Sequence, residues 1–573
     1  MHITDFFLTK KTKFALSLIL TLTFMVLLYF TGGIWFDTND DVFIEELLSG
    51  KITGTPEWRC RYVSALITWP ITGLYKVLPN VPWWGILIFS VLFLSVFISL
   101  YCTVLLSDTL FKMCLFMASS FTVIIAGIHS FGQAQFTCAA ILLAFAGYIV
   151  LIGGPKNKAS LIGFFLCELL ACAIRDSSMI LVQPAGLMFY AGMLLRECTS
   201  KEKFMEIVKR VSVSVIALIG VLALSKGLNV LTFSDAAWKE YYKYNDIQSY
   251  VVDYEPKVSY ESVSDILEKY DISKDEYDQT FEYRTWYLNN KFTGPVLDEL
   301  LPALSKIRGT ATSPAKFIEG FKQLLFTSSE FWHLHQFTAA FFLLCAVAAL
   351  IAGCYTMLIP TAMTFVGYAV GIAFLAYRDR YVLRVFMPYY LGTILLLCFI
   401  LMHIFTALHW NTVKEKVRVL ATAVLVASVF IFGLSIGRVQ FAYLRAQNHV
   451  VNTIFFSEQK EINDYCVNHP DKHYVLDMSC ARFVSTDIFE HDYYLKANHI
   501  YSGSWYSNTP VFLNFGREYI SDGCYYLVYE AQEFRGVEGM EYYSRCFNTE
   551  PVLDDKFKLS SGATIWVYKI AGQ

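Results

Sequence analysis

The chain has 573 residues, of which 55% are hydrophobic and only 17% charged, with a mean hydropathy of +0.44. A soluble domain carries about 25% charge, so this composition excludes an ordinary water-soluble enzyme and points to a bilayer. The net charge of −3 argues neither for nor against a charged partner, no basic patch is large enough for nucleic acid, and the 36 Tyr and 47 Phe suit lipid-facing helices and interfacial belts.

Spanning the hydrocarbon takes roughly 20 helical residues. Apolar segments of about that length run near 14–35, 84–107, 112–129, 134–152, 159–174, 178–195, 211–231, 336–352, 355–376, 385–408 and 419–438, about eleven spans. The first follows Lys10, Lys11 and Lys13 and ends in Gly32-Gly33-Ile34-Trp35. With no small-residue cleavage pattern, it reads as a retained helix rather than a signal peptide.

Lys and Arg gather in cytoplasmic loops. With the N-terminus inside, the inner loops carry Lys112, then Lys156 and Lys158, then Arg196, Lys201, Lys203, Lys209 and Arg210, and lastly Lys414, Lys416 and Arg418. The outer loop 36–83, the large outer loop 232–335 and the tail 439–573 then fall on the extracytoplasmic side. The expected organisation is a multi-pass domain over 1–438 in the plasma or inner membrane, followed by an extracytoplasmic domain over 439–573. Helical stretches are expected over Ser262–Tyr270 and Ser313–Leu325. Strand-like runs at 473–477, 525–529 and 564–568 predict a small α/β unit in the tail. Its four cysteines, Cys466, Cys480, Cys524 and Cys546, leave two bridges or free thiols open.

Chemistry concentrates just past the first span, in Trp35-Phe36-Asp37-Thr38-Asn39-Asp40-Asp41, which leads into a predicted helix ending at Gly50. Helix capping and dipole compensation account for one or two of these acids. Three together, at the membrane surface, favour a site. Either one of Asp37, Asp40 and Asp41 is a general base for an acceptor hydroxyl, or Asp40 and Asp41 hold a divalent cation such as Mg or Mn. Between the ninth and tenth spans, Arg378, Arg380 and Arg384 occupy a short outer loop, against the positive-inside rule. Guanidinium forks there suit phosphate oxygens, with snorkelling to headgroups or pairing with Asp379 as the plain alternatives. Arg175-Asp176 forms a further charged pair at a span boundary, read equally as a loop pair. His129 and Gln133 are weaker candidates. Trp58, Trp69, Trp83 and Trp84, with 501–506 in the tail, read as belt aromatics or sugar-stacking rings.

The stretch Asp37-Thr38-Asn39-Asp40-Asp41 with Ser49-Gly50 and Gly54-Thr55-Pro56-Glu57, then a re-entrant or interfacial segment from Leu74-Tyr75-Lys76 to Pro82-Trp83-Trp84-Gly85, resembles the C-type (GT-C) glycosyltransferase superfamily, the bacterial O-antigen glucosyltransferase type most of all. The resemblance implies an all-α polytopic fold with the small α/β tail, and a polyprenyl-(di)phosphate sugar as donor. It further implies a cell-envelope glycan or lipid as acceptor, with membrane lipids around the chain. It casts Asp37, Asp40 or Asp41 as base or metal ligand, and Arg378, Arg380, Arg384 and Arg175 as donor-phosphate ligands. The alternatives are an O-antigen-type polymerase or ligase, disfavoured by the few Arg in 232–335, and a transporter or flippase of lipid-linked glycans. The latter should bury charges mid-span, and only Glu168 and Lys226 do so.

Overall fold

The computed structural model describes residues 9–154, 158–253, 257–282, 285–286, 291–310, 318, 322, 329–377, 382–407, 415–450, 456–477, 480, 487–489, 498–520, 523–530, 540–546 and 548–571. Arg378 and Arg380 lie outside these residues, as do Lys156, Lys414 and most of the expected helix at 313–325.

Eleven helices correspond to the eleven expected spans: α1 (Lys10–Gly32), α4 (Trp83–Val104), α5 (Leu110–Ala126), α7 (Phe136–Gly153), α8 (Lys158–Ile174), α9 (Asp176–Leu195), α10 (Lys201–Thr232), α15 (Ser329–Ile351), α16 (Leu358–Tyr377), α17 (Leu383–Ala407) and α18 (Glu415–Val450). Among the described residues, nine are long and apolar enough to cross a membrane. The other two, α5 and α8, have 17 residues each, about 25 Å of helix at the short end of the spanning range. The chain is a multi-pass membrane protein. Helix α7 is apolar all round and forms the centre, packed by α4, α8, α9 and α17. Helix α18 continues past residue 438 to Val450.

The two mid-span charges are both engaged. Glu168 Oε2 accepts from Gln183 Nε2 at 3.1 Å, and Gln183 in turn accepts from Tyr148 Oη at 2.5 Å. Lys226 reaches Asp176 at 2.7 Å, tying α10 to α9.

After α1 the chain forms a two-residue strand β1 (Trp35–Phe36), then α2 (Asn39–Ser49) and α3 (Ala65–Val77). Strand β1 pairs in parallel with β2 (Gln133–Ala134), which follows the short α6 (Ile128–Gly132). Helix α2 ends at Gly50, whose φ of 70° is left-handed; a Cβ there would lie 2.3 Å from Pro56 N. Helix α3 buries Ile67, Ile71 and Tyr75 while exposing Leu66, Trp69, Leu74 and Val77. An apolar outward face beside the spans marks it as an interfacial helix.

The segment after α10 builds its own core. Helices α11 (Ala236–Val252), α12 (Ser264–Lys269), α13 (Lys274–Glu282) and α14 (Gly294–Thr310) enclose Trp238, Tyr241, Tyr244, Leu267, Phe281 and Leu297. Two arginines of the first loop clamp it to α11. Arg59 forks onto Glu57 and reaches Asp235 at 2.7 Å, and Arg61 pairs with Asp246.

The tail holds α19 (Phe456–Val467), β3 (Tyr474–Leu476), β4 (His499–Tyr501), α20 (Pro510–Tyr519), β5 (Gly523–Tyr529), β6 (Val552–Lys558) and β7 (Thr564–Ala571). The sheet order is β4-β3-β5-β7-β6, parallel among β4, β3 and β5 and antiparallel at β7 and β6. The three strand-like runs expected there are β3, β5 and β7. Cys466, Cys480, Cys524 and Cys546 are free thiols, the first three buried. The tail is stitched to the membrane domain: Ile488 N donates to Ile34 O at 3.1 Å, and Asp487 bridges Trp35. Its core is continuous with that of the membrane helices.

Candidate active site at the C-terminal end of the first helix

Strand pairing fixes the start of the acidic stretch. Asp37 N donates to Ala134 O at 3.0 Å, continuing the β1–β2 register, so Asp37 stands where α1, α6 and α7 converge. Thr38 is the N-cap of α2 and makes no side-chain capping bond. The carboxylates that follow turn to tertiary partners instead, so capping does not account for them.

Asp41 is fully buried, its Oδ1 accepting from Trp84 Nε1 at 3.1 Å and Phe136 N at 3.2 Å. Among the described residues its Oδ2 has no hydrogen-bond partner. Burial, then the charge of Asp40, holds its carboxyl well above the usual range, against the pull of the Trp84 and Phe136 bonds. Asp40 is partly exposed, and its Oδ1 accepts from Trp505 Nε1 at 3.1 Å. Asp37 is also partly exposed, and its carboxyl is pushed up to about 6. Desolvation is the chief cause and the Asp40 charge adds to it, while the Arg384 guanidinium pulls the other way.

Arg384, 347 residues along the chain at the first turn of α17, therefore shares the electrostatic field of Asp37. The two feel each other's charge, and among the described residues they close no ion pair. Arg175 joins from α9. Its guanidinium lies 5.0 Å from the Tyr62 ring centre and 5.4 Å from that of Phe136. Tyr62 meets Trp505 edge-on at 5.0 Å. A closed chain of contacts thus runs from Asp41 through Phe136, Arg175, Tyr62 and Trp505 to Asp40. Asp176 pairs with Lys226 instead of with its neighbour Arg175.

Among the described residues, no three His, Cys, Asp or Glu side chains are grouped so as to hold a metal ion. Asp40 and Asp41 turn to different indoles, so the pair does not fit a shared Mg or Mn site. His129 and His333 line a separate apolar pocket with Leu334, Phe337, Leu383 and Met387, the last two flanking Arg384 in sequence.

The sequence pointed to Asp37, Asp40, Asp41, Arg175, Arg378, Arg380 and Arg384; the contacts above link Asp40, Asp41 and Arg175, the Arg384 charge acts on Asp37, and Arg378 and Arg380 lie outside the described residues. It gave no role to Tyr62 or Phe136, and Trp84 and Trp505 stood only among the aromatic cues. A tryptophan in a Ser-Gly-Ser-Trp-Tyr turn of a soluble tail carries no local mark of its distant partner.

No family model matches the chain, and no curated protein matches it. The chain is similar to the solved structure of ArnT from Cupriavidus metallidurans bound to undecaprenyl phosphate, with 9% identity over 96% of this chain and 97% of that one and a TM-score of 0.46. A likeness at that level bears on neither activity nor substrate.

Proposed function

We propose that the protein is a membrane glycosyltransferase. On this reading it moves a sugar from a polyprenyl-(di)phosphate donor to a cell-envelope glycan or lipid acceptor on the outer face of the membrane. The observation that carries the reading is the grouping of Asp37, Asp40 and Asp41 directly after the first helix, with the Arg384 charge acting on Asp37 and the buried Oδ2 of Asp41 without a hydrogen-bond partner among the described residues.

Asp37 serves as general base. It is accessible, and a carboxyl near 6 is mostly ionised at neutral pH while remaining basic enough to take a proton. The acceptor hydroxyl oxygen attacks the anomeric carbon as Asp37 removes its proton. The bond from that carbon to the phosphate oxygen breaks, and the electron pair leaves with the phosphate. Arg384 faces the charge that grows there. Arg175 supplies a second cation behind the aromatic wall of Tyr62 and Phe136. The apolar pocket around Leu334, Phe337, Leu383 and Met387 suits a prenyl chain whose phosphate would reach Arg384. Arg378 and Arg380 remain proposed partners of the same phosphate.

A transporter is less well supported, since Glu168 and Lys226 are engaged with neighbouring helices rather than lining a polar path. The test expresses Asp37→Asn, Asp40→Asn and Asp41→Asn variants and measures modification of the outer-surface glycan. Asp37→Asn should cost roughly 10²- to 10⁴-fold, the range of a lost general base. Full activity in all three variants would overturn the reading.

A further inference from the structure

We infer that Trp505, from the tail, is a positioning residue of the acidic site, fixing Asp40 from 465 residues away; the inference rests on the glycosyltransferase reading above. The indole Nε1 donates to Asp40 Oδ1 at 3.1 Å, and Trp505 itself is 3% exposed.

Its setting is built on every side. Tyr62 of the first loop packs edge-on against the ring at a right angle. Tyr241 of α11 donates its hydroxyl to Trp505 O at 3.2 Å, and Asn245 Nδ2 donates to that hydroxyl at 3.1 Å. The turn beneath is tied by Ser504 Oγ, which accepts from Tyr506 N at 3.1 Å and Ser507 N at 3.2 Å, and by Asn508 Nδ2, which donates to Ser504 O at 2.9 Å. Next along the turn, Tyr506 stacks on Phe43 of α2 at 6.0 Å, so the same segment holds both the helix and its first-turn carboxylate.

Three parts of the chain far apart in sequence thus agree on one indole, and its single polar atom goes to Asp40. A carboxylate held on one oxygen presents the other in a fixed direction. Asp40 in turn raises the proton affinity of Asp37. Trp505 therefore acts on the chemistry through Asp40, and the tail is a wall of the site rather than an appendage.

The test uses the full chain in lipid nanodiscs, with a water-soluble carbodiimide and glycine ethyl ester labelling carboxyls, read residue by residue by mass spectrometry. Trp505→Phe keeps a ring against Tyr62 but removes the donor. Labelling of Asp40 should rise roughly tenfold, the size of one charge-assisted hydrogen bond, with Asp298 and Asp275 unchanged. In the surface-glycan assay the same variant should lose about tenfold or more in kcat, with KM little altered. Trp505→His, which offers a ring N–H, should recover part of both. Unchanged Asp40 labelling overturns the inference, as does raised labelling with wild-type turnover. Should Trp505→Phe disturb carboxyls throughout the molecule, Trp505→His decides: wild-type control labelling with no recovery of Asp40 protection also overturns it. Full activity of Asp40→Asn would instead count against the role of Asp40 in catalysis, leaving the labelling result to stand alone.

Discussion

Asp37 ties activity to pH with a definite sign. A general base must be ionised, so kcat/KM should rise with pH through about 6, the value to which burial and the Asp40 charge lift its carboxyl. Asp40→Asn removes a raising cause and should move the acid limb of the profile down. Arg384→Gln removes the lowering cause and should move it up. Opposite shifts, or none, would contradict the pairing. Glu46, three-quarters of the way along α2, works on stability instead. It is 1% exposed, and among the described residues neither carboxylate oxygen has a hydrogen-bond partner. Burial is the main cause that pushes its carboxyl up to about 7; Lys51 opposes this and Glu45 adds to it, while Tyr506 feels its charge. Because the folded value lies above the ordinary 4.5, folding costs nothing from this group below 4.5. The penalty grows between 4.5 and 7 and stays constant above, at up to ~3 kcal/mol. Glu46→Gln should therefore raise the thermal midpoint at pH 8 and leave it nearly unchanged at pH 4. A gain of equal size at both would sink this account.

At the scale of elements, the sequence made α2 legible. Its apolar positions, first-turn acids and terminal Gly50 predicted a helix from about residue 40 to 48, and it runs from Asn39 to Ser49. The strands β3, β5 and β7 were readable as short runs of β-branched, aromatic and aliphatic residues between turn-rich stretches. What hid was the pairing between elements. The parallel β1–β2 contact is two residues long, too short for any pattern, yet it sets the position of Asp37. The seam between Gly85 of α4 and Ile488 is equally silent in sequence. A Cβ at Gly85 would lie 1.7 Å from Ile488 O, and Ile488 N is the group that donates to Ile34 O. Gly85→Ala should displace the tail from the membrane domain and destabilise the protein by about 1–3 kcal/mol, the usual cost of overpacking. Limited proteolysis would show faster cleavage of the tail; an unchanged pattern would contradict the seam.

Across the whole molecule, hydrophobic length located a helix at each of the eleven expected spans, and nine of these, among the described residues, are long and apolar enough to cross a membrane. The site was half legible on the same grounds. Asp37, Asp40 and Asp41 stand out as charges crowded against a span, and Arg384 as a base where outer loops avoid them. Trp505, Tyr62 and Phe136 are aromatic residues in a chain that is 16% aromatic, and only the fold distinguishes them. The architecture brings these parts to one boundary by folding 233–310 and the tail over the acidic loop, through Arg59, Arg61 and Trp505. The most direct measurement is sugar transfer from a radiolabelled polyprenyl-phosphate donor by the purified protein in nanodiscs supplied with envelope glycan, comparing wild type with Arg384→Ala. Loss of roughly 10²-fold or more in kcat/KM is expected if Arg384 carries the leaving phosphate; transfer by the variant at the wild-type rate would contradict the claim that the acidic and basic clusters form one active site.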